Sequence, residues 1–93
     1  MVIGLLDLEI FLPYSHSLKD KRKRLKSFRD RMRSRHNVSV AELEYQDKWQ
    51  RARMGIVTIN STKSVVEKTL NAIMLEVEKT IEGEITRSRI EYF

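Results

Sequence analysis

Residues 17–36, SLKDKRKRLKSFRDRMRSRH, decide how this chain folds. Leu18, Leu25, Phe28 and Met32 fall within one arc at roughly 100° per residue, the spacing of an amphipathic helix with one buried stripe. Ser17 suits the N-cap, and the Asp20 carboxylate three positions on completes a capping box. Asn37 suits the C-terminal end. Lys21 lies inside the apolar arc, between Leu18 and Leu25. Its stem is expected to cover the core edge while its ammonium reaches water or a carboxylate.

Outward from this helix the chain reads as strands on both sides. In residues 2–12, VIGLLDLEIFL, the set Val2, Gly4, Leu6, Leu8 and Ile10 is apolar, and Ile3, Leu5, Asp7, Glu9 and Phe11 form a mixed face. That pattern suits a central strand, which Pro13 ends. Residues 38–45 read as a second strand whose alternation breaks near Val40 and Ala41, where a bulge is expected. Residues 50–60 form a third, with Ala52, Met54, Ile56 and Thr58 on one face and Arg51, Arg53, Gly55, Val57 and Ile59 on the other. The short spacing makes these two strands a hairpin. A second helix is capped by Ser61 or Thr62, or alternatively by Ser64 with Glu67. It buries Val66, Leu70, Ile73, Met74, Val77 and Ile81 and ends at Gly83, a C-terminal cap. Residues 84–93 read as the last strand, with Thr86, Ser88, Ile90 and Tyr92 inward and Arg87, Arg89 and Glu91 outward. The fold class is therefore α+β, a ferredoxin-like βαββαβ arrangement. Its four-stranded antiparallel sheet carries both helices on one face, with strands one and three central. All 93 residues are expected to form one domain.

Several chemistries are unsupported. The chain has no cysteine, hence no disulfide framework or thiolate metal site. His16 and His36 sit roughly 30 Å apart at opposite helix ends, so they cannot share a metal. Neither has a nucleophile tied to it, so no catalytic residue is assigned. Acylphosphatase chemistry on this topology needs a glycine-rich phosphate loop, which Leu12, Pro13, Tyr14, Ser15 and His16 do not supply. There is no P-loop and no GxxG of a KH domain. No enzyme activity, cofactor, metal or small-molecule substrate is expected. The longest apolar stretch, residues 2–12, is too short to span a bilayer and is interrupted by Asp7 and Glu9. No basic leader precedes it, so it is not read as a signal peptide. No membrane association and a cytoplasmic location are expected.

Charge is the informative feature. Residues 17–36 hold ten basic and two acidic side chains, about +8, against eight basic and eleven acidic elsewhere, about −3. Lys19, Lys23, Arg24, Lys26 and Arg31 are expected on the outward side of the helix, with Arg22, Arg29 and Arg33 along one flank. Such a face suits RNA or DNA phosphates, held largely without sequence preference. The alternatives are a plain solvated face and an acidic protein partner. On the open face of the sheet, Ile3, Leu5, Phe11, Val57 and Ile59 lie among Asp7, Glu9, Arg51, Arg53, Arg87 and Arg89. The charges can pair across strands. The five apolar residues suggest a homodimer interface, since the aromatics of an RNA-recognition sheet are absent. Asp47, Trp49 and Gln50 are expected to form a surface cluster near the hairpin end, Trp49 being read as a packing residue.

The stretches VIGLLDLEIFLP, SLKDKR and NVSVAELEYQDKWQRARMG, the last with its Asp-x-Trp-Gln-Arg pattern, resemble the small bacterial YlxP-like family, formerly a domain of unknown function (DUF503). The resemblance covers nearly the whole chain. It implies a ferredoxin-like fold and no established catalytic activity. Genes of that family often lie beside those for translation initiation and ribosome maturation, which implies an RNA-related role with ribosomal RNA as a candidate partner.

Overall fold

A computed structural model describes residues 1–93. The elements follow as β1 (Val2–Phe11), α1 (Leu18–Arg35), β2 (Ser39–Glu44), β3 (Arg51–Asn60), α2 (Lys63–Thr80) and β4 (Glu84–Tyr92). The sheet order is β2-β3-β1-β4 and every pairing is antiparallel, so the two strands with the strongest inward apolar sets occupy the centre. Leu6, Leu8 and Ile10 of β1 and Ala52, Met54 and Ile56 of β3 pack against Leu25, Phe28 and Met32 of α1 and Val66, Leu70, Ile73 and Val77 of α2, all fully or nearly fully buried. Met74 and Ile81 flank this core half-buried.

Gly4 sets the distance between α2 and β1. A Cβ there would lie 2.5 Å from Val66 Cγ1 and 2.8 Å from Leu70 Cδ1. Gly83 has a different role from the helix cap expected of it. The α2 C-cap is Ile81, no glycine adopts positive φ, and Gly83 is small because a Cβ would meet the Phe11 carbonyl oxygen at 2.3 Å. Neither helix ends in a left-handed cap: His36 closes α1 in extended conformation with its N–H donating to Met32 O. Asn37 instead gives its carbonyl to the buried Thr58 hydroxyl at 2.7 Å, tying the end of α1 to β3.

Both edge strands carry bulges that shift the expected alternation. In β2 the register slips between Glu42 and Glu44, not at Val40 and Ala41. Val40 and Glu42 therefore lie opposite Ile56 and Met54, while Leu43 swings across Gly55 on the open face. In β4 the slip falls at Thr86, so Ile85, opposite Ile10, takes the inward place assigned to Thr86. Thr86 donates to Glu9 O instead. Ser88, Ile90 and Tyr92 lie opposite Leu8, Leu6 and Gly4 as expected.

Candidate nucleic-acid interface

The first turn of α1 is built as its sequence dictates. Ser17 Oγ accepts from the Asp20 N–H at 3.0 Å, and the Asp20 carboxylate accepts from the His16 N–H at 3.1 Å. This reciprocal capping satisfies two backbone donors that the helix cannot. The His16 hydrogen bond, helped by Arg24, holds the Asp20 carboxyl below its ordinary range.

Lys21 is fully buried. Its ammonium donates to Tyr45 O at 2.6 Å and Arg51 O at 3.1 Å, and lies 2.8 Å from a Glu42 oxygen. The expectation of a carboxylate partner holds, and two carbonyls join it. Burying an ammonium is costly unless its donors are used, and here three acceptors surround them. The two carbonyls belong to the two ends of the connection between β2 and β3. Tyr45 sits in the left-handed region at φ 68°, a conformation unfavourable for a bulky residue and sustained by these contacts.

The remaining bases of α1 divide into two flanks. Arg24, Arg31 and Arg35 face α2. Arg24 meets Glu82 at 2.7 Å, Arg31 donates to Thr80 Oγ1 at 3.2 Å, and Arg35 pairs with Glu76. Burial pushes Glu76 up, but hydrogen bonds from His36 and Arg35 outweigh it and leave the carboxyl below its ordinary value. A groove of about 400 Å³ lies between this flank and the end of α2, floored by Leu12, Leu25, Phe28 and Ile81. Placing Arg24 and Arg31 on the outward side is therefore corrected: each lies roughly 170° from the middle of the other flank, and they are drawn to Glu82, just past α2, and to the Thr80 hydroxyl in its last turn.

Arg22, Lys26, Arg29 and Arg33 form the opposite flank, with Lys19 at its N-terminal end and Lys23 just outside it. Lys26 pairs with Asp30 at 2.8 Å. Lys19, Arg22, Lys23, Arg29 and Arg33 make no ion pair. From Lys19 to Arg33 this ridge runs about 21 Å at 1.5 Å per residue.

On the open face of the sheet the charges pair as expected. Arg53 donates twice to Asp7, at 3.0 and 2.7 Å, and also reaches Glu44. The Arg53 hydrogen bonds hold the Asp7 carboxyl below its ordinary value despite its burial. Arg51 stacks on the Tyr45 ring at 4.2 Å. This belt divides the apolar residues. Ile3 opposes Ile59 and Leu5 opposes Val57 at one end of the sheet, whereas Phe11 lies at the other, between Arg51 and Glu84. Phe11 therefore does not join the other four. Phe93, which exchanges two backbone hydrogen bonds with Ile3, does.

The connection between β2 and β3 departs from the sequence reading. Trp49 does not pack inside: it is 48% exposed. Tyr14, in the turn after Pro13, is 65% exposed and was not singled out from sequence. Its signal was an aromatic in a short turn beside the basic helix.

A ferredoxin-like sheet whose first helix is strongly cationic defines the class of protein. A family model described as "Protein of unknown function (DUF503)" matches residues 3–90, and the chain belongs to that family. It is 36% identical over 92 residues to "Uncharacterized protein YlxP" of Bacillus subtilis (strain 168), across 99% of this chain and 100% of that protein. Among solved structures, a structural-genomics protein, YJCS, superposes with TM-score 0.62 at 8% identity over 96% of each chain. The de novo designed Ferredog-Diesel superposes with TM-score 0.50 at 19% identity, over 96% of this chain and 83% of that one. At these identities the two structures speak to fold alone. No helix is long and apolar enough to cross a membrane.

Proposed function

We propose that the chain is a non-enzymatic, cytoplasmic RNA-binding protein. The outer flank of α1 holds the phosphates of structured RNA, with ribosomal RNA the first candidate. The observation that carries this reading is the set of five bases, Lys19, Arg22, Lys23, Arg29 and Arg33, left without a carboxylate on one helix. Like charges crowded along one ridge repel, and a polyanion relieves that repulsion while releasing its own counterions.

Filter binding or anisotropy against a labelled RNA hairpin tests it. Full engagement gives a log–log salt slope of roughly −3.5 to −4.5, at −0.7 to −0.9 per phosphate. Reversing Arg22, Arg29 and Arg33 to Glu lowers the slope by roughly 2 to 3 and leaves the thermal transition in place. Affinity and slope unaltered by that triple reversal would remove α1 as the interface. An acidic protein docked on the ridge would show itself as a stoichiometric complex that survives nuclease.

A further inference from the structure

We infer that Tyr14 and Trp49 form a base-stacking platform for an unpaired stretch of RNA at the N-terminal end of the α1 ridge. This rests on the phosphate-binding reading of that ridge. Tyr14 is 65% exposed and Trp49 about half exposed, at 48%, although aromatic side chains gain most from being covered. Both are carried on loops that are hydrogen-bonded to each other. The Gln50 side-chain amide donates to Pro13 O at 3.2 Å and Ser15 O at 3.4 Å, the two neighbours of Tyr14. The Leu12 N–H donates to Gln50 O at 2.8 Å. Trp49 precedes Gln50, so one glutamine joins the two ring-bearing loops into a single surface.

That surface is fastened to the ridge. Lys21 grips the Tyr45 and Arg51 carbonyls, which bracket the connection carrying Trp49. In the sequence Lys21 stands between Lys19 and Arg22, the unpaired bases that begin the ridge. Lys48, exposed and also without an ion pair, lies next to Trp49. Cations that track a backbone and exposed rings beside them are the two parts of a single-strand site. A duplex keeps its bases stacked internally and can use only the cations. The platform therefore selects unpaired nucleotides, such as a loop or bulge of a structured RNA.

Trp49 is the only tryptophan, so its emission reports this surface alone. The probes are a labelled 12-nucleotide single-stranded RNA and a 12-base-pair RNA duplex at equal salt. The single strand is expected to quench Trp49 and the duplex to leave it unchanged. Tyr14→Ala and Trp49→Ala are each expected to weaken single-strand binding about five- to tenfold, with duplex affinity and the salt slope unaltered. Trp49→Phe keeps a stacking ring and retains most of the affinity, as a second readout should the alanine variant fold poorly. Single-strand binding unaffected by Tyr14→Ala and by Trp49→Ala, with unquenched emission, overturns the platform. The ridge reading then stands if the Arg22, Arg29 and Arg33 reversals still weaken binding and lower the salt slope. Failure of both RNAs to bind overturns platform and ridge together.

Discussion

Lys21 occupies a place in the α1 stripe that periodicity alone would give to a leucine. Its ammonium substitutes one carboxylate and two carbonyls for water, and through them fastens the first turn of α1 to both ends of the connection between β2 and β3. Lys21→Met keeps the stem and removes the charge. Glu42 is then left as a largely covered carboxylate without a partner and two carbonyls lose a donor. A loss of about 3–5 kcal/mol is expected in urea unfolding. Adding Glu42→Met to that variant recovers part of the loss, because the stranded charge goes but the carbonyls stay unpaired. Additive losses in the double variant would show that the two residues do not act as a pair. The sequence announced Lys21 by its break in the periodicity. It could not name Glu42, because Glu42 turns toward the helices in a strand whose bulge lies at Leu43, one residue later.

The elements themselves were legible from hydrophobic spacing, and the ladder of β1 with β3 follows from the two inward sets. The bulges were not, since a slip at Leu43 or Thr86 costs one unpaired residue and leaves no compositional mark. Nor did spacing alone show which α1 cations find partners. Arg24 and Arg31 are bases like Arg22 and Arg29, and only the position of α2, with Thr80 in its last turn and Glu82 just beyond its end, shows which flank is paired. Trp49 escaped for a related reason: its type favours burial, but its neighbours give it a loop at the sheet end. The glycines show how closely the layers meet. Gly4→Ala places a methyl against the stiff Val66 and against Leu70 beneath α2, so the helix must move and about 1–3 kcal/mol is lost. Gly55→Ala meets only Leu43, a partly exposed side chain at 2.9 Å that can swing outward. Its cost is expected below about 1 kcal/mol, since no packed neighbour has to shift. Thermal melts of the two variants check the order, and a larger loss at Gly55 would mean that Leu43 is held more firmly than its exposure indicates.

At the scale of the molecule, the unpaired cations of α1 and the apolar patch of the sheet lie on opposite layers. The helices carry the ridge, and the far side of the sheet carries Ile3, Leu5, Val57 and Ile59, with Phe93 beside them. Val57 and Ile59 are 37% and 46% exposed at neighbouring positions of a central strand, where a monomer would gain by placing polar residues. A second copy seated on this end of the sheet would cover them and leave both α1 ridges pointing outward, so self-association would not compete with the proposed RNA binding. The two also differ in their response to salt. Apolar burial is little weakened by it, whereas phosphate contacts fall steeply. Sedimentation at micromolar protein is therefore expected to give twice the 11.0 kDa chain mass, at salt both low and high enough to release RNA. Val57→Glu or Ile59→Glu is expected to give the 11.0 kDa species while binding the hairpin with the same salt slope per chain. Phe11→Ser is expected to leave the assembly intact, because the belt of Asp7, Glu9, Arg51 and Arg53 separates Phe11 from the apolar end. A wild-type protein that sediments only at 11.0 kDa would exclude this face as an interface between copies without touching the reading of the ridge.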